Sequence, residues 1–116
     1  MPAGRYAVEA LNSLSLYDLI QGKLVLGGTV REVLQYVQSG SAPLGIVFRT
    51  DALTLKPGGP LHVVYSFPDS ALSTPVLYPV AVVSASRLKD AARRFIAFLQ
   101  SAEARAAFIA AGFVVR

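Results

Sequence analysis

The sequence predicts an α/β domain, and three observations carry that reading. Apolar runs of strand length alternate with segments of helical periodicity along the chain. One of those runs, Leu44-Gly45-Ile46-Val47-Phe48, is apolar throughout, as a strand covered on both faces of a parallel sheet would be. Hydrophobic residues make up 53% of the 116 and charged residues only 16%, so the chain has material for a core and lacks the composition of a disordered segment. Its length is that of one ordinary domain, and no internal repeat divides it.

Taken in order, Tyr6, Ala7, Ala10, Leu11 and Leu14 recur at helical spacing behind Pro2, a favoured helix-entry residue, so the first helix runs from Ala3 to about Leu14. A short helical turn follows at Leu16–Ile20 and ends at Gly22. Leu24-Val25-Leu26 reads as a short strand closed by Gly27-Gly28. Thr29 with Glu32 three residues on makes a capping box, and Val30, Val33, Leu34 and Val37 mark one face of a helix ending near Gly40. Strand 44–48 comes next, then a turn or short helix at Thr50–Leu53 and a loop at Lys56-Pro57-Gly58-Gly59-Pro60.

Leu61 to Phe67 is β-branched and aromatic enough for another strand. Pro68 to Pro75 is a mostly polar connector. Val76 to Val83 reads as a strand interrupted by Pro79, which favours an edge or a bend at a hinge. Two helices close the chain, Ser86 to about Gln100 and Ala102 to Ala111, the second stopped by Gly112.

Several function classes are excluded. With no cysteine and a single histidine, His62, there is no thiolate site, disulfide or ordinary histidine-based metal or triad site. No G-x-S-x-G, P-loop or paired-carboxylate constellation offers a foothold for catalysis. His62 reads as a partly buried or edge-strand histidine. Arg87, Lys89, Arg93 and Arg94 spread around a helix that also holds Asp90, as a solvated face does, and the net charge of +4 is too scattered to mark a nucleic-acid surface. Every apolar run is broken well short of the roughly 18 residues a membrane span needs. Met1-Pro2-Ala3-Gly4 leads into Arg5 and Glu9 without the signature of a signal peptide.

One physical feature points to a ligand. Two helices begin with little bulk and no carboxylate, at Ala3-Gly4 and at Thr29-Val30 behind Gly27-Gly28. Helix starts carry N–H groups without acceptors and the positive end of the dipole, so two that converge can cradle an oxyanion without a charged side chain. Spacing alone does not bring them together.

Pro2-Ala3-Gly4-Arg5-Tyr6-Ala7, Thr29-Val30-Arg31, Ala42-Pro43-Leu44-Gly45-Ile46-Val47-Phe48, Thr50-Asp51-Ala52, Tyr78-Pro79-Val80-Ala81-Val82-Val83 and the closing Gly112-Phe113 appear in order along nearly the whole chain. Together they resemble the C-terminal half of the periplasmic molybdate-binding proteins of bacterial molybdate ABC transporters. The resemblance implies a type II periplasmic-binding-protein fold, in which an oxyanion is enclosed between two α/β lobes. Residues 1–74 would be the second-lobe portion, and residues 75–116 the hinge-crossing strand and C-terminal helices belonging to the first lobe.

It also implies a function, the binding of molybdate or tungstate for an ABC permease in the periplasm, with no enzyme activity, no cofactor, no metal ligand, no nucleic acid and no membrane insertion. If Met1 is the true start, a cytoplasmic location follows instead. Three site positions carry over: Ala3 and Val30 through their backbone N–H groups, and Phe48. At the last, many members have a tyrosine whose hydroxyl bonds the oxyanion; phenylalanine offers no donor, a loss of about 1.5–3 kcal/mol or roughly 10- to 150-fold in affinity. The closing helices would carry Phe95, Phe98, Leu99, Phe108 and Ile109 as apolar surface in need of cover, so a homodimer, or exchange of the C-terminal segment at Thr74–Tyr78, is expected. Two other readings stay open: a ligand-free fragment acting as a dimerising interaction module, and a cytoplasmic oxyanion-sensing domain.

Overall fold

The computed structural model describes residues 2–115 and divides the chain into two compact units, Met1–Pro75 and Val76–Arg116. Met1, on which an expectation of the sequence rested, lies outside the described residues.

In the first unit, α1 (Pro2–Ser13) opens on Pro2, whose missing N–H costs nothing at a helix start. It ends in a Schellman motif: Ser15 N–H donates to the Asn12 carbonyl at 2.9 Å and Leu16 N–H to the Leu11 carbonyl at 2.9 Å. The left-handed residue of that motif is Ser15, at φ 56°, where glycine is the usual occupant. α2 (Tyr17–Ile20) runs into a 3-10 turn at Gln21–Lys23. The core of this unit is small. Ala10 and Leu11 of α1 and Ala71 of a 3-10 turn at Asp69–Ala71 are its buried residues, and α1 packs on both α2 and that turn. Glu9 fastens the same contact by accepting a hydrogen bond from the Ser73 N–H.

α3 (Val30–Gln38) and α4 (Arg49–Ala52) follow. A close approach fixes α3: a Cβ at Gly45 would lie 2.8 Å from Val33 Cγ1 and 2.9 Å from Val37 Cγ2, and one at Gly27 would lie 2.9 Å from Val33 Cγ2. Val33 therefore fits between Gly27 and Gly45, and the chain on either side of α3 can lie against it only because both positions lack a side chain.

In the second unit, α5 (Lys89–Leu99) packs on α6 (Ala102–Ala110). Ser101 caps α6 by accepting from the Ala104 N–H at 3.2 Å, and Ala104 is buried. α6 ends on Gly112 at φ 89°, with Gly112 N–H donating to Ile109 and Phe113 N–H to Phe108. The rings of Phe108 and Phe113 meet edge to face at 5.8 Å, and Tyr78 meets Phe113 at 5.4 Å, which pins the 76–83 segment to the end of α6.

The helices agree with the sequence to within a few residues; α5 starts at Lys89 rather than Ser86, because Ser86 Oγ instead accepts the Leu88 N–H at 3.1 Å. The strands differ. Segments 24–26, 44–48, 61–67 and 76–83 carry no ladder among the described residues, so the sheet of the expected α/β class is not formed here. A helix closes its hydrogen bonds within itself, whereas a strand exists only when a neighbour pairs with it. Many side chains of these segments stay open, with Val25 64% and Leu26 84% exposed. The chain exposes 9240 Å². Even two separately compact bodies of these lengths would expose only about 7,300 Å².

Gly45→Ala should destabilise the first unit by about 1–3 kcal/mol through the clash with Val33 and Val37. Gly22→Ala, where a Cβ meets nothing within 4 Å, should be neutral or stabilising by up to about 1 kcal/mol. Urea midpoints followed by circular dichroism compare the two.

Candidate oxyanion site

Ala3, Val30 and Phe48 all lie in the first unit, each at the start of a helix. Ala3 is in the first turn of α1, whose N–H groups have no acceptor one turn back and which holds no acidic residue. Val30 is the first residue of α3, directly after its cap Thr29. Phe48 caps α4 in extended conformation, at φ −72° and ψ 153°.

Tyr6 links two of the three positions. It stands one turn after Ala3 on α1, and its ring meets that of Phe48 edge to face with centroids 6.5 Å apart. The ring pair thereby links α1 to the cap of α4. Val30 joins them along the chain, through the 44–48 segment whose Gly45 packs on Val33 and Val37.

The start of α3 departs from the expectation that it holds no carboxylate. Thr29 Oγ1 accepts the Glu32 N–H at 3.1 Å, as the capping box requires. The Glu32 carboxylate then reaches back beyond the cap, accepting the Gly28 N–H at 2.6 Å on Oε2 and the Tyr36 hydroxyl at 2.6 Å on Oε1. The chain thus supplies an anion of its own at this helix start, one that takes the Gly28 N–H and leaves that of Val30. The bond from Tyr36, then that from Gly28, hold Glu32 below the ordinary carboxylate range; the same carboxylate raises Tyr36. At α1, Glu9 is likewise lowered, first by the Ser73 hydroxyl, then by the Ser73 N–H and by nearby Arg5.

Chemically, this arrangement offers backbone donors at two helix starts and an aromatic pair beside one of them, which suits non-covalent capture of a compact anion. The described residues contain no group of three or more His, Asp or Glu that could hold a metal ion. No helix among them is long and apolar enough to cross a membrane. Sequence reasoning placed Tyr6 on the apolar face of the first helix without its partner Phe48, and missed the return of Glu32 to Gly28. The Glu9–Ser73 link joins residues 64 apart and leaves no local signal.

Residues 1–114 match the family model of the bacterial extracellular solute-binding proteins. The chain is 38% identical over 116 residues to a provisionally assigned ABC transporter substrate-binding lipoprotein of Bacillus subtilis, covering 97% of this chain and 42% of that protein. It is 38% identical to the molybdate-binding protein ModA of Haemophilus influenzae, covering 97% of this chain and 42% of the relative. With the molybdate-binding protein ModA of Escherichia coli it shares 36% identity over the whole chain and 43% of the relative. The chain therefore spans less than half the length of these relatives. No solved structure matches it.

The Glu32–Tyr36 bond needs an ionised carboxylate and a protonated phenol. Glu32 has a lowered folded pKa, so its contribution is present above the ordinary carboxylate range and lost as pH falls through the lowered value. Tyr36 has a raised one, so its contribution is present below the ordinary tyrosine range and lost as pH rises through the raised value. Thermal melts across pH should show wild type losing stability relative to Tyr36→Phe at both extremes, with a constant difference near neutrality.

Proposed function

The chain belongs to the family of bacterial extracellular solute-binding proteins, and on that premise we propose that it carries the second-lobe half of a molybdate- or tungstate-binding site. The observation that carries this reading is the start of α3, where a Gly-Gly turn, the Thr29 cap and the docked Glu32 leave the Val30 N–H without an intrahelical acceptor. Ala3, in a first turn without acid, is the second backbone donor. Neutral N–H donors select an oxyanion by cavity size rather than by net charge, with sulfate and phosphate as the competitors. That relatives sharing 36–38% identity are named molybdate-binding supports this choice of ligand.

In this reading residues 1–74 belong to the second lobe, and residues 75–116 are the return crossing and closing helices of the first. Segments 24–26, 44–48, 61–67 and 76–83 become strands of the two sheets when neighbours pair with them. The protein is a periplasmic binding component that hands its ligand to an ABC permease, and it performs no catalytic step.

A second reading, self-association, is favoured by the open apolar surface of the second unit. Phe95 is 59% exposed and Ile109 60%, with Phe98 and Leu88 also open, and surface of this kind drives association. A second copy is the expected cover.

Isothermal titration calorimetry with sodium molybdate, with sulfate as control and the oligomeric state fixed by light scattering in the same buffer, tests both readings. A monomeric species should bind with a dissociation constant weaker than about 1 μM, roughly −8 kcal/mol, because half a clamp cannot desolvate a dianion. Light scattering should show the mean mass rising with concentration; a constant monomer mass would overturn self-association. Absence of molybdate-selective heat at millimolar ligand would overturn the oxyanion reading for this chain.

A further inference from the structure

Glu9 makes a bond between the two ends of the first unit. Its carboxylate, on α1, accepts the Ser73 N–H, 64 residues along the chain. The side-chain bonds of Thr29, Glu32, Thr54 and Ser101 instead close within four residues. We infer that Glu9 and Ser73 form a proton-sensitive latch, which holds the last residues of the first unit against α1 and so fixes where the chain leaves that unit. The inference does not depend on which ligand the protein binds.

Three observations lead there. Ser73 lies two residues before Pro75, where the first unit ends. Apolar burial stops short of it: Ala10 and Leu11, which follow Glu9 on α1, and Ala71 of the Asp69–Ala71 turn are buried, whereas residues 73–75 are exposed. A bond to a charged acceptor therefore takes over where packing ends. Charge is the third observation. The Ser73 hydroxyl, then the Ser73 N–H, and the Arg5 guanidinium one turn earlier on α1 favour the ionised form of Glu9 and hold its carboxyl below the ordinary range. The elements packed against α1 bring two further carboxylates, Asp18 of α2 and Asp69 of the turn. With a lowered folded pKa, Glu9 keeps the latch closed through neutral pH and releases it as pH falls through the lowered value.

The test is NMR of the whole chain from neutral to acid pH, reading amide shifts together with hydrogen exchange corrected for its intrinsic pH dependence. In wild type the Ser73 amide should move upfield as Glu9 is protonated, with a midpoint below that of an ordinary carboxylate. Its protection should be lost over the same range while the interior amides of α1 keep theirs. Glu9→Gln, which keeps the shape and removes the titrating group, should abolish the Ser73 step, and Asp69→Asn should leave it in place. Ser73→Ala, which removes the hydroxyl and keeps the N–H, should move the midpoint up toward the ordinary value. A Ser73 amide that does not titrate, a step that survives Glu9→Gln, or a midpoint unmoved by Ser73→Ala overturns the latch. Loss of protection at Ser73 and in the interior of α1 at the same pH overturns it as well, because the bond then breaks only with the whole unit.

Discussion

The fit of Val33 between Gly27 and Gly45 is the contact on which the first unit depends. It places the Gly27-Gly28 turn and the 44–48 segment against the same residue of α3, with methyl-to-backbone approaches that a single added carbon would close. Where those segments lie decides where Val30 begins the helix and where Phe48 ends its run. The proposed site is therefore a by-product of packing: it is positioned by two glycines and a valine that touch no ligand.

The start of α3 shows how a chain manages the electrostatics of such a place. Its N–H groups attract negative charge, and the nearest available charge is its own Glu32. By docking on Gly28 and being oriented by Tyr36, that carboxylate stabilises the helix start and narrows what remains for an incoming anion. α1 has no such internal occupant in its first turn. The two helix starts are thus unequal as donors. The one at Ala3 is electrostatically open and has the Tyr6–Phe48 ring pair beside it.

Open backbone and open apolar surface are the other side of the same economy. Each helix settles its own hydrogen bonds, so the helices stand although only four of the described residues are buried, Ala10, Leu11, Ala71 and Ala104. The segments 24–26, 44–48, 61–67 and 76–83 cannot settle theirs alone. Their exposed valines, leucines and aromatics are what a sheet would cover, and the pinning of the 76–83 segment by Tyr78, Phe113 and Phe108 orders one such segment without pairing it.

Local rules were enough for much of this. The capping box at Thr29 and Glu32, the proline entry of α1, the serine cap of α6 and its glycine stop could all be read from spacing, because each is settled within one turn of the chain. So could the helix starts near Ala3 and at Val30. Tertiary structure alone decided the rest: that Glu9 reaches Ser73, that the Tyr6 ring meets Phe48, and that the apolar runs form no ladder among the described residues. Those outcomes depend on which distant segment arrives as a neighbour, and strand pairing and ring contact are properties of two segments at once, which the pattern within either one does not contain.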